Sequence, residues 1–199
     1  MTSDRLQQQL EFIVEIDKLK HVIRRNYLVD SSRRENDGEH SWHIAIAAMI
    51  LAEYSDEPVN LSRVIKMLLV HDIVEIDAGD TFAYDTDGHA DKDVREQRAA
   101  DRLFGLLPDD QAEELRELWD EFEALATAEA RFARAVDMLM PMLHNYHSNG
   151  KGWRENGVVS DQVLNRQKQI GKASSALWEF GQTLVAQAIE EGALPSTDQ

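Results

Sequence analysis

Four side chains of this 199-residue chain have types and spacings suited to metal chemistry: His40, the adjacent pair His71 and Asp72, and Asp137. The pair lies in LSRVIKMLLVHDIVEIDAGD, residues 61–80, where Leu61, Val64, Ile65, Met67, Leu68, Leu69, Val70, Ile73 and Val74 make a stretch apolar on almost every face. Such a stretch reads as a buried helix, and carboxylates placed in a core are expected to be paired or bound to metal. Glu75 follows His71 by four residues and Asp72 by three, one helical turn from both. Taken alone, the pair also fits a blander arrangement, with Asp72 and Glu75 at a wet edge and His71 a satisfied core histidine. His40 falls in the first turn of a helix, Glu39-His40-Ser41-Trp42. The positive end of the helix dipole disfavours imidazolium there, and a metal ligand must be neutral. Asp137 stands among apolar neighbours in ARFARAVDMLMPML, with Arg131 and Arg134 as the alternative ion-pair partners. Two imidazoles and two carboxylates without sulfur suit one divalent first-row ion with positions left open for water. Such an ion polarises a phosphoryl oxygen and lowers the pKa of water. Glu75 is placed to take that water's proton, and Asp80 is the candidate donor to a leaving oxygen.

The elements that must position these groups read as helices. The periodicity predicts helices over 3–25, 39–55, 61–78, 91–105, 109–125, 128–147 and 160–191, the sixth capped by Thr127 and kinked at Pro141. Asp37 is the expected cap of the second helix, whose core side is read as Trp42, Ala45, Ile46, Met49 and Ile50. The tracts 80–91 and 148–157 lack periodicity and are read as loops, and the chain ends are expected to fray. His43 is assigned to packing or support of His40 and His144 to the pocket wall. Phe82 and Tyr84 could stack on a base or simply pack. No repeat or low-complexity block interrupts the pattern. The expectation is one all-α domain over residues 1–199, in line with few Gly and Pro and many helix formers.

Composition narrows the partners. The net charge is −16, from 37 acidic against 21 basic residues, and cysteine is absent. That sign repels a nucleic-acid backbone and leaves a small anionic substrate possible only where a cation reverses it locally. The absence of cysteine excludes thiolate chemistry and fits a reducing compartment. With no signal pattern or membrane-length apolar run, the chain is expected to be cytoplasmic, without membrane or extended nucleic acid as partner.

In chain order the series is Glu39-His40-Ser41-Trp42, then His71-Asp72-Ile73-Val74-Glu75-Ile76-Asp77-Ala78-Gly79-Asp80, then Asp137. It resembles the HD-domain metal-dependent phosphohydrolases, and in local detail their 5′-deoxynucleotidase branch, from about Leu19 to Tyr146. The resemblance implies a single helical-bundle domain and one divalent ion (Mn, Co, Zn, Ni, Fe or Mg) held by His40, His71, Asp72 and Asp137. It implies that Glu75 works with the attacking water and that Asp80 lies near the scissile phosphate. Arg24, in Leu19-Lys20-His21-Val22-Ile23-Arg24, matches the family's phosphate-binding arginine, with Arg25 its rival. Family members place a tryptophan at or soon after that arginine, against the sugar 2′ position. This chain has Arg25-Asn26-Tyr27, which leaves Tyr27 to fill the space. The implied activity is removal of phosphate from (deoxy)ribonucleoside 5′-monophosphates, by a homodimer acting on a small nucleotide. Two other readings stand beside it: an HD phosphohydrolase for another phosphate ester or cyclic phosphodiester, and a non-catalytic metal-stabilised binding protein. A purely structural metal site needs neither Glu75 nor Asp80, so their presence favours catalysis.

Overall fold

The computed structural model describes residues 4–84 and 91–197. The expected first helix is cut short: α1 spans Asp4–Glu15, a 3₁₀ stretch follows over Ile16–His21, and the chain turns extended at Val22. The β-branched pair Val22-Ile23 favours that change. Strand β1 (Ile23–Tyr27) pairs antiparallel with β2 (Arg34–Asn36), Ile23 opposite Asn36 and Tyr27 opposite Arg34. In the intervening turn Ser31 takes a φ of 60°, and the Asp30 carboxylate accepts from Ser32 N at 2.9 Å. This hairpin is the one small sheet among the described residues of an otherwise helical molecule.

Helix α2 spans Asp37–Leu51 and is capped by Asn36, not Asp37. Asn36 Oδ1 accepts from Glu39 N at 3.0 Å while Glu39 Oε1 accepts from Asn36 N at 2.8 Å, a reciprocal capping box. The cap thus falls one residue earlier than expected, and Asp37 is buried in the first turn. The expected core side is also corrected. His40, Ser41, Ile44, Ala45 and Ala48 face inward, whereas Trp42, Ile46, Met49 and Ile50 are 44–68% exposed. The helix is apolar on both flanks, so its pattern does not choose a side. The small residues Ala45 and Ala48 lie on the packed flank, the one that meets α3 (Leu61–Val70) and α7 (Ala128–His147).

The expected helix 61–78 is two. Helix α3 begins at the Asn60 cap and ends at Val70; residues 71–74 form a turn, and α4 spans only Glu75–Ala78. Through the turn the backbone bonds tighten to three-residue spacing, Ile73 N to Val70 O at 3.1 Å and Glu75 N to Asp72 O at 2.9 Å. Gly79 closes α4 with a φ of 77°. Helices α5 (Lys92–Phe104) and α6 (Asp109–Ala124) follow. Helix α7 is capped by Thr127 as expected and continues through Pro141. The tract read as a loop over 148–157 contains α8 (Lys151–Glu155). It starts at Gly150, whose φ is 66° and where a Cβ would fall 1.7 Å from Ala193 O. The expected last helix divides into α9 (Ser160–Gln167), a 3₁₀ turn over Ile170–Lys172 and α10 (Ser175–Glu190), which is capped by Ser174. Gly171, against which Trp178 packs, and Ser174 supply the break. The expected loop over 85–90 and the extreme ends of the chain lie outside the described residues.

Helix α7 runs through the core, with Phe132, Ala133, Val136, Leu139 and Met142 buried against Ile44, Met67, Leu68, Phe122 and Ile170. A second cluster joins Phe12, Val70, Val74, Leu103, Phe104 and Trp119. The turn at 71–74 lies between the two, so the polar groups it carries are enclosed from both sides. No helix of the described residues is long and apolar enough to cross a membrane.

Candidate metal and phosphate site

The structure brings His40, His71, Asp72 and Asp137 together, from α2, the turn after α3, and α7. Donor atoms of His40, His71 and Asp72 lie within 4.8 Å of one another. Asp137 Oδ1 is 3.1 Å from His40 Nε2 and 3.9 Å from His71 Nε2. His71 Nδ1 lies 2.9 Å from the Leu68 carbonyl oxygen, which can only accept, so Nδ1 carries the proton and Nε2 is left with its lone pair. That Nε2 is buried without a hydrogen-bond partner and sits 2.9 Å from Asp72 Oδ1. A bare imidazole nitrogen among carboxylate oxygens is what a divalent cation would satisfy, so the residues fit a metal. Burial and Arg24 oppose charge on His40, but Asp137, Glu35 and Asp72 outweigh them and raise its pKa to about 9. Burial likewise opposes ionisation of Asp137, yet His40, His71 and Arg134 hold its carboxyl well below the usual range. The Arg134 partnership considered from sequence is present too, at 3.4 Å from Asp137 Oδ2, and it coexists with the histidine contact.

Arg24, on β1, reaches the same place. Its Nη1 donates to Asp37 Oδ1 at 3.0 Å and to Asp72 Oδ2 at 2.8 Å. Both bonds leave from Nη1, so Nη2 is not used by these two carboxylates, while Nε is buried. Asp37, fully buried at the start of α2, is a member of the site that sequence reasoning missed. Its carboxyl group is hydrogen-bonded to that of Glu75, and burial followed by Asp72 pushes its pKa up to about 7. Glu75 is raised further, by burial first and then by Asp72, Asp37 and Asp80. Each of the pair keeps one buried oxygen, Asp37 Oδ2 and Glu75 Oε2, without a hydrogen-bond partner among the described residues. Two carboxyl groups in contact are stable when they share a proton. Burial also raises Asp80, against the pull of Arg24.

A cavity of about 220 Å³ opens onto these groups, lined among others by Arg24, Arg25, Asp72, Glu75, Asp80 and Asp137. Its other walls include Phe82, Tyr84, Met138, Asn145, Trp153 and Gln167. Arg24 and Arg25 both face the cavity, but only Arg24 joins the ligand carboxylates. Tyr27 is placed elsewhere: its hydroxyl donates to Glu155 Oε2 at 2.9 Å, Lys151 Nζ lies 3.7 Å from its ring centre, and it does not line the cavity. Phe82 and Tyr84 pack edge to face, 5.4 Å between centroids. His43 stacks on Trp42 and neighbours His144, away from the ligand set. Glu35 and Asn26 were also missed. Both lie between the helices expected over 3–25 and 39–55, and both are buried on the hairpin strands.

The HD domain family model matches residues 16–178. That match covers most of the chain, and this chain belongs to the HD domain family. Over 129 residues it is 33% identical to the 5′-deoxynucleotidase HDDC2 of Homo sapiens, a match covering 64% of this chain and 62% of the relative, less than two thirds of its length. A 5′-deoxynucleotidase of Saccharomyces cerevisiae is 25% identical over 191 residues, covering 84% of this chain and 79% of the relative. Among solved structures, a predicted metal-dependent phosphohydrolase from Magnetospirillum magnetotacticum MS-1 is similar at a TM-score of 0.91 and 53% identity, covering 97% of this chain and all of that one.

Proposed function

We propose that this chain is a metal-dependent phosphomonoesterase that removes phosphate from (deoxy)ribonucleoside 5′-monophosphates. The observation that carries the reading is the unpartnered Nε2 of His71, set among His40, Asp72 and Asp137, the last two of which line a cavity together with Arg24 and Glu75. His40, His71, Asp72 and Asp137 would hold one divalent ion. That ion would supply Lewis-acid polarisation of a phosphoryl oxygen and lower the pKa of the attacking water. Arg24 binds the phosphate through the guanidinium edge that its carboxylate partners leave free. Glu75 accepts the water's proton as the oxygen attacks phosphorus, and a cation beside it counteracts the burial that otherwise keeps Glu75 protonated. Asp80, whose pKa burial raises against the pull of Arg24, is the proton donor to the departing 5′ oxygen as the P–O bond breaks. One proton is gained at Glu75 and one is lost at Asp80, and the products are a nucleoside and inorganic phosphate. Phe82, Tyr84 and Trp153 give the cavity apolar rings that suit a nucleoside better than a bare phosphate.

A chelator-stripped preparation assayed against dAMP, AMP, a sugar phosphate and a cyclic dinucleotide, with Mn, Co, Zn or Mg restored in turn, tests this. Metal-dependent release of phosphate from nucleoside monophosphates is expected. Release from the cyclic substrate alone, or none with any metal, rejects it. Arg24→Ala should weaken every monophosphate alike, because a phosphate contact carries no base information. The deoxy preference assigned to Tyr27 from sequence has its own check in Tyr27→Ala, whose dAMP to AMP ratio should stay as in the wild type given where the ring sits. The reading includes a cytoplasmic homodimer, for which the uncovered apolar flank of α2, Trp42, Ile46, Met49 and Ile50, is the supporting feature.

A further inference from the structure

Behind the ligand set lies a buried polar knot whose hub is Glu35, on β2 and 1% exposed. Its Oε2 accepts from Asn26 Nδ2 at 2.8 Å. The same oxygen lies 3.3 Å from His40 Nδ1, 3.6 Å from His144 Nδ1 and 3.8 Å from Arg24 Nε. Asn26 Nδ2 is also 3.0 Å from His144 Nδ1. An amide nitrogen only donates, so His144 Nδ1 receives that bond on its lone pair and has no proton to offer Glu35. The carboxylate is therefore left as an acceptor for His40, whose Nδ1 has no hydrogen-bond partner in its buried setting unless Glu35 serves.

We propose that Glu35 is a positioning residue for the metal site, holding a proton on His40 Nδ1 and thereby leaving Nε2 as the nitrogen that turns to the ion. Asn26 and His144 in turn hold Glu35. The inference rests on the metal reading above. Partners of this kind orient a ligating imidazole and raise its basicity, and losing one costs roughly 10–100-fold in metal affinity. A competing arrangement has Glu35, His43 and His144 ligate a second ion, since their donor atoms also lie within 4.8 Å of one another. The Asn26 amide opposes it: its protons already point at the Glu35 carboxylate and at His144 Nδ1, so two of the three donors are taken by a donor group rather than left for a cation.

The test titrates Zn²⁺ into the full chain after chelator stripping, by calorimetry, for wild type, Glu35→Ala, Glu35→Gln and His144→Ala. Nitrogen-15 histidine spectra of the Zn²⁺-loaded wild type are recorded alongside. One ion per chain is expected, with affinity reduced about 10–100-fold in Glu35→Ala. Glu35→Gln, which keeps an acceptor oxygen and the volume, should recover most of it. His40 should be ligated through Nε2 with a proton on Nδ1. Unchanged affinity in Glu35→Ala, or His40 ligated through Nδ1, overturns the proposal; the second result decides even where Glu35→Ala folds poorly, since the wild-type spectrum is independent of that variant. A second ion per chain that His144→Ala removes also overturns it. A wild type that binds no Zn²⁺ rejects the metal reading itself, a different result from tight binding indifferent to Glu35.

Discussion

Glu75 is buried next to three other acidic groups, Asp72, Asp37 and Asp80, and burial followed by their charges raises its pKa. If Glu75 takes the water's proton, Glu75→Gln should lower turnover by roughly two to four powers of ten while metal content measured by elemental analysis stays the same. Asp72→Ala should instead lose the ion. A Glu75→Gln enzyme with near-normal turnover returns Glu75 to a structural role. Asp37 makes a thermodynamic prediction. Its pKa is about 7 in the folded protein, against an ordinary value of 3.8. A carboxyl group raised by folding contributes stability that is fully present below the unfolded value and lost as pH rises through the folded one. Chelator-treated wild type should therefore lose stability between about pH 4 and 7, by an amount on the order of a few kcal/mol at most. Asp37→Asn should flatten that slope in urea melts taken across the range. A wild-type slope of the opposite sign would refute the assignment.

Among the elements, α2 carries most of the unexpected consequences. Its capping box fixes the turn that places Asp37 against Arg24 and, one residue beyond Glu39, His40 against Asp137. Asn36→Ala should cost about 0.5–2 kcal/mol of stability, read from the urea midpoint, because one half-buried cap is lost. It should also weaken metal binding, since the ligand-bearing turn frays. A stability loss with metal affinity untouched would separate the cap from the site. The break between α3 and α4 matters in the same way. A continuous helix would direct Asp72 N–H at the Leu68 carbonyl oxygen, whereas here that oxygen receives His71 Nδ1–H and sets which imidazole nitrogen is bare.

For the whole molecule, an ion that binds only the folded state adds about 2.7 kcal/mol at a hundredfold excess over its dissociation constant. For a chain of this size each kcal/mol moves Tm by about 2–4 °C, so chelation should lower Tm by roughly 5–10 °C. A melting curve indifferent to chelator and to every added metal counts against the ligand set. The uncovered flank of α2 gives a second expectation at this scale. Sedimentation should find a dimer that Ile46→Glu combined with Met49→Lys converts to monomer. Because each copy carries a charge of −16, the wild-type dimer should tighten as salt rises. A wild type that is monomeric at all concentrations removes the homodimer from the reading.

The sequence by itself determined the helical class, the cap at Thr127, and the ligand candidates. These depend on local periodicity, on side chains that bond their own backbone, and on the cost of burying charge. His71, Asp72 and Asp137 are conspicuous because each is an ionisable group in an apolar stretch, and His40 because it falls in the first turn of a helix. Glu35, Asn26 and Asp37 gave no such signal, since no local periodicity marks their positions as inward-facing and their burial comes from contacts made by the hairpin and the first turn of α2. The core side of α2 was illegible for the opposite reason: with apolar residues on both flanks, only the approach of α3 and α7 decides which is covered. The hairpin itself was hidden because Leu19, Val22 and Ile23 suit the end of a helix as well as the start of a strand, and the pairing with Arg34–Asn36 that settles it is a contact across the chain. Local energies are written in short windows of sequence, whereas enclosure depends on which distant segments arrive, and only the tertiary structure contains that information.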